Sequence, residues 1–170
     1  RFSFSLLGLH GMYRYKNDWA FLEPQVSNQT RHYISYLRSK AIPNTTHRFT
    51  EDFSKLKPYI SERKFDSAQR IATGDTLRTY RLAVSAAAEY TAYHGGTVEH
   101  GLAAVNAMVN RVNQVYLVDL AVQFELVAGN DALVFTDATS DPFNNDTDDI
   151  DLNAGVINGA IGFSNYDIGH

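Results

Sequence analysis

The sequence predicts an α/β (α+β) fold: a β-rich amino-terminal stretch, then a strand–long helix–strand unit whose strands run parallel. Three observations predict it. Short alternating apolar segments separated by turn residues fill the first forty positions. A single apolar stripe at helical spacing runs from Val98 to Tyr116. Alternating segments flank that stripe on both sides, and strand–helix–strand order most often gives parallel strands joined by a crossover.

A chain of 170 residues can bury roughly 70% of its unfolded surface and needs no covalent staples. It has no cysteine, which excludes disulfide scaffolds, thiolate metal sites and Cys nucleophiles together. Apolar residues at 44% and charged residues at 20% place it among globular rather than disordered chains. No apolar run approaches the roughly 20 residues of a membrane span, so no membrane partner is expected. The chain begins at Arg1 without a signal-type segment, so an upstream part is expected to be missing or removed.

The net charge of −4 conceals an asymmetry. Residues 1–75 carry 12 Lys and Arg against 7 Asp and Glu, a net of +5, whereas residues 76–170 carry 3 against 12, a net of −9. Such a switch suggests two units whose opposite charges help one dock on the other. The basic residues are scattered, without a cluster or an RNA-binding motif, so no nucleic-acid partner is expected.

Each element follows in turn. Phe2, Phe4 and Leu6 alternate with serines, Met12 to Lys16 alternates again before a Lys16-Asn17-Asp18 turn, and Trp19 to Leu22 is stopped by Pro24. His32 to Arg38 reads as a fourth half-buried strand. So few strands make a marginal sheet alone and are expected to pack on something else. The β-rich part is placed at 1–42, a linker at 43–75, and a second unit at 76–170. There, Leu77 to Ala88 reads as one strand, with Tyr80, Leu82, Val84 and Ala86 on one face, broken by Gly95-Gly96. Thr97 is the expected N-cap of the long helix, with Glu99 in its first turn. Val98, Leu102, Val105, Val109, Val112 and Tyr116 form its stripe, with Asn106, Asn110 and Asn113 off it. Leu120 to Leu126 alternates as a strand. An acidic, turn-rich stretch spans Asp137 to Asn153, a short helix is expected from about Asn153 to Ile161, and Phe163 to His170 opens a further strand. A strand cut at its first residues points to a fragment.

No recognised catalytic set is present: no HExxH, GxSxG, P-loop or GxGxxG opening a helix. His94 and His100 stand six apart across a Gly-Gly break, which fits no helical or hairpin ligand pair and reads as surface or capping histidines. Asp146, Asp148, Asp149, Asp151 and Asn153 form an oxygen-rich run of the kind that holds calcium. Its EF-hand pattern is broken, because Gly155 falls one place late and Ala160 stands where the bidentate Glu belongs. A solvated acidic loop is the plainer reading. Asn28, Asn44 and Asn145 head glycosylation triplets, which also arise by chance.

The second half carries a more specific pattern. Leu77 to Ala83 (LRTYRLA), Glu89 to Thr91, Gly95-Gly96-Thr97 opening the helix, and Asn110 to Asn113 come in order. Tyr116, Asp119-Leu120, Ile161 to Phe163 and Asn165 to His170 (NYDIGH) follow. In these blocks residues 76–170 resemble the start of a reprolysin-like (adamalysin-like) metzincin zinc metalloprotease domain of the secreted bacterial branch. Residues 1–75 resemble the end of that family's pro-segment. The resemblance implies the upper part of a metzincin catalytic domain, truncated before the zinc helix HExxHxxGxxH. In the family three histidines of that helix hold zinc and its Glu is the general base on the bound water. None of those residues lies in this sequence, so no catalytic residue is assigned, the metal ligands are unknown, and the chain alone is expected to be inactive. The segment opened by Asp167 leads, in the family, into an edge strand that pairs with extended substrate. That implies a substrate-binding role for Ile168, Gly169 and His170. The implied partners are a protein or peptide substrate and the remaining carboxy-terminal part, covalent or as a separate nicked chain. The pro-segment cysteine of animal relatives has no counterpart here. An Asp switch at Asp75 is conceivable, although Asp75 sits very close to the first strand.

Two other functions compete: a non-enzymatic pro-segment, inhibitor or structural binding module, and a calcium-binding adhesion domain built on Asp137 to Asn153. A Gly-rich strand and HExxHxxGxxH beyond His170 would decide for the protease.

Overall fold

A computed structural model of the chain describes residues 2–26, 30–41, 76–144, 146 and 148–170. The expected linker, Asp75 and the triplet asparagines Asn28, Asn44 and Asn145 lie outside the described residues.

The amino-terminal part is an antiparallel meander of β1 (Phe2–Ser5), β2 (Gly8–Tyr15), β3 (Asp18–Pro24) and β4 (Tyr33–Leu37), in that spatial order. The turn falls where expected but is shorter, Lys16-Asn17 alone, because Asp18 of β3 already pairs with Tyr15; Lys16 takes φ +52°. The alternation in β1 is real, but its sense is inverted. Phe2 and Phe4 lie on the exposed face, Phe4 at 79%, while the serines between them are the half-buried residues. Cross-strand packing accounts for Phe2, whose ring lies across Gly11 where a Cβ would stand and stacks on Tyr13. A side chain at Gly11 would displace that ring.

The second part contains β5 (Arg78–Ala83), α1 (Ala88–Tyr93), α2 (Val98–Asp119), β6 (Val122–Leu126), α3 (Asp149–Ile161) and β7 (Ile168–Gly169). The three strands form a parallel sheet ordered β6-β5-β7. Strand β5 is shorter than its alternation suggested: it ends at Ala83, Ala86 forms only an isolated bridge to Val134, and α1 begins at Ala88. The cause is partly local and partly remote. Ala86 to Ala88 are strong helix formers, and the first free N–H of α1, on Ala88, donates to the Asp141 carboxylate 53 positions away. Helix α2 starts as expected, with Thr97 Oγ1 accepting from the His100 N–H. Helix α3 starts at Asp149, four residues earlier than expected, with Asp149 and Asp151 in the first turn where carboxylates suit the helix dipole.

Helix α2 is buried on two sides. Val105 and Val109 of the expected stripe join Leu82, Val84, Ala86 and Val134 in the main core. A second face of small residues, Ala103 and Ala104, packs on Leu7 at the start of the meander. Two polar contacts reinforce this junction: Gln114 Nε2 donates to the Met12 carbonyl, and Arg111 pairs with Glu23. The amino-terminal sheet thus uses α2 as the support that four short strands lack by themselves. Asn113, off the apolar stripe, is nonetheless buried. Its amide donates to the Phe124 carbonyl and accepts the Phe124 N–H, both at 2.7 Å, fixing β6 to the helix.

Candidate functional site

The residues expected to meet substrate lie on β7. Leu82 pairs with Ile168 and Ala83 with Gly169, and the backbone continues with His170 N–H to Ala83 C=O (2.9 Å) and Ser85 N–H to His170 C=O (2.7 Å). One edge of β7 is thereby satisfied by β5. Its other edge pairs with no strand among the described residues. Ile168, at 38% exposure, and Gly169 of β7 are on the surface, as is His170, which follows the strand.

An ionic clamp sets the position of β7. Asp167 accepts the Arg81 N–H at 2.8 Å and the guanidinium Nη2 at 2.7 Å, while Arg81 Nη1 reaches the Ser164 carbonyl at 2.9 Å. The Arg81 side chain, then the Arg81 N–H, hold the Asp167 carboxyl at about 2. Bidentate geometry of this kind fixes direction as well as distance. Beneath the strand, a Cβ on Gly169 would stand 2.8 Å from Ile157 Cδ1, so a side chain there would require the buried Ile157 side chain to shift.

Asp167→Asn is expected to loosen β7 alone. The His170 amide should exchange several-fold faster while the amides of α2 stay protected, and equal exchange in both proteins would show that the clamp does not hold the strand. The depressed carboxyl gives the sign of the pH effect. The clamp's contribution is present above about pH 4, the ordinary carboxylate range. It is lost as pH falls toward about 2, where Asp167 itself protonates. Both side chains are exposed, so added salt should weaken the clamp.

Beside β7 opens a cleft of about 310 Å³ whose walls include Ser85, Phe143, Asp149, Asn153 and His170. Ser85 Oγ donates to Asn153 Oδ1 at 2.7 Å. The acidic stretch behind it uses its carboxylates on its own backbone. Asp149 accepts N–H groups of Asn144 and Asp146, Asp141 accepts that of Phe143, Asp146 that of Asp148, and Asp137 that of Thr139. Among the described residues no three His, Cys, Asp or Glu side chains converge to hold a metal ion. The described residues therefore do not fit a zinc site. His100 serves the α2 cap, its Nδ1 2.9 Å from Thr97 Oγ1.

The parallel β6-β5-β7 sheet, the long helix between its first two strands and the exposed β7 coincide with the extent of a known domain. The model of metallopeptidase family M12B, reprolysin-like, matches residues 76–170. The chain belongs to that family. No curated protein and no solved structure matches the chain. Within this reprolysin-like domain, Arg81 and Asp167 are the pair that sequence reasoning missed as partners. They stand 86 positions apart, and only the parallel pairing of β5 with β7 brings them together. A second missed group lies outside β7, where His10, Glu23, His94 and Arg111 share a cleft between the meander and the two helices.

Proposed function

We propose that this chain is the amino-terminal part of a secreted zinc-dependent endopeptidase, comprising the end of a pro-segment and the first half of the catalytic domain. The observation that carries the proposal is the M12B reprolysin-like match over residues 76–170, together with a strand at its end that is paired on one edge and exposed on the other. An extended peptide adds to such an edge by backbone hydrogen bonds, with alternate side chains reading its sequence. Ile168, Gly169 and His170 take this substrate role. The zinc ligands and the general base belong to HExxHxxGxxH, which this sequence does not contain, and the partner is the polypeptide that carries it, continuous or nicked. Zinc bound there would supply an activated water for peptide hydrolysis.

Intact mass, metal content and peptide hydrolysis measured on the same material test it. A sample holding only these 170 residues should contain no stoichiometric zinc and hydrolyse no peptide. The chain extended through HExxHxxGxxH should bind about one zinc and show chelator-sensitive cleavage. Chelator-sensitive hydrolysis by the 170 residues alone, or an inert zinc-free extended chain, would overturn the proposal in favour of a binding or inhibitory module.

A further inference from the structure

We propose that the junction between the amino-terminal meander and α1–α2 is an acid-sensitive latch, closed while His10 and His94 are neutral and opened when both take up protons. The inference concerns this junction alone and does not rest on the protease reading.

The geometry carries it. A cavity of about 580 Å³ lies at the junction, with His10 of β2 and Glu23 of β3 on one wall. Tyr90, Tyr93 and His94 from α1 and its end, and Arg111 of α2, stand on the other. From β4, the Tyr36 hydroxyl donates to Glu23 Oε2 at 2.9 Å. These are the titratable and charged groups facing the two histidines from each element around the cavity. Among the described residues Arg111 is the one permanent cation lining the cavity, and Glu23, the one carboxylate there, pairs with it. Each protonated histidine then adds a charge that no further carboxylate of this lining meets.

Hydrogen bonding points the same way. His10 Nδ1 and Arg111 Nε are buried and find no acceptor among the described residues. An imidazolium must donate from both ring nitrogens, so protonating His10 would leave a buried charged donor unsatisfied. Burial, then the Arg111 charge, push His10 below its ordinary value, with the Gly8 carbonyl and Glu23 opposing. Burial, then His10, do the same to His94. The docked state therefore binds fewer protons than the undocked state. Docking is at full strength above the ordinary histidine value of about 6.5 and weakens as pH falls below it. The apolar part of the junction is small, essentially Leu7 against Ala103 and Ala104 with Tyr90 beside them. Two uncompensated charges weigh heavily against so few contacts.

The side-chain amide of Gln114, which reaches the Met12 carbonyl only when the faces are docked, is the reporter. Followed by NMR on the full chain between pH 7.5 and 5.5, it should shift with the midpoints of His10 and His94. The docking equilibrium constant should fall with pH, by at most about tenfold per unit of combined displacement. In the His10→Gln/His94→Gln variant the reporter should not move. A reporter that is flat in the native chain, or that still moves in the variant, overturns the latch. Should the variant not fold, the native histidine titrations decide: midpoints below 6.5 for both support the latch, and either one at or above 6.5 removes its driving force.

Discussion

Asn130→Leu is expected to destabilise the protein by about 3 kcal/mol, although the two side chains are close in volume. Asn130 is 2% exposed, and its amide spans the Val84 peptide group, accepting the Val84 N–H at 2.8 Å and donating to the Val84 carbonyl at 2.9 Å. Val84 follows the last residue of β5, where the ladder has ended but the backbone is still buried. Leucine would leave one donor and one acceptor without partners and without water, each costing about 1–3 kcal/mol. In a chain of this size that corresponds to a fall in Tm of roughly 6–12 °C. Thermal or urea unfolding measures it. A loss under about 1 kcal/mol would mean that the backbone relaxes to find other partners. Asn113 holds Phe124 in the same way, so the sheet of the reprolysin-like domain is fastened at two points by asparagine amides where the strands lack neighbours.

Neither asparagine is legible as structural in the sequence. Periodicity reports which side chains avoid water, and it assigns asparagine to the solvent unless a buried peptide group needs it. What the sequence does carry is the set of elements fixed by local physics. The Thr97 cap, the buried centre of the α2 stripe at Val105 and Val109 and the turn after Tyr15 each depend on neighbours within a few positions, and each is present. Strand β6 forms as well, but from Val122 and with Gln123 half-buried, because Leu120 caps α2. The elements that differ depend on distant partners. Helix α1 needs Asp141, the inverted faces of β1 need Gly11 and Tyr13 across the sheet, and the alanine face of α2 has meaning only with Leu7 on it. The candidate site divides likewise. Asp167 to His170 stood out as a block, but the partner that grips it, Arg81, is set by the parallel register of β5 and β7. The histidine cleft belongs to no motif, because its members come from four separate elements.

Ile157→Ala should cost about 3 kcal/mol and act most strongly on the candidate substrate strand. Ile157 is 0% exposed and packs with Ala83 and Leu133, so its truncation leaves a cavity under β5 and β7 that rigid neighbours cannot fill. Its Cδ1 is also the atom that a side chain on Gly169 would press against. The two positions should therefore be coupled in a recognisable sense. Gly169→Ala in the native background forces a methyl group against Ile157 and should loosen β7. In the Ile157→Ala background the same methyl enters vacated space, and the double variant should be more stable than the sum of the single losses by about 1 kcal/mol. Strict additivity would mean that β7 does not rest on Ile157, and the placement of Ile168, Gly169 and His170 would then depend on the Arg81–Asp167 clamp alone. A compensating cycle, with faster His170 amide exchange in each single variant, would establish that α3 supports the strand from below while the clamp aligns it from the side. An exposed strand offered to an extended peptide needs both supports, because every backbone hydrogen bond it forms with that peptide depends on its staying flat and in register.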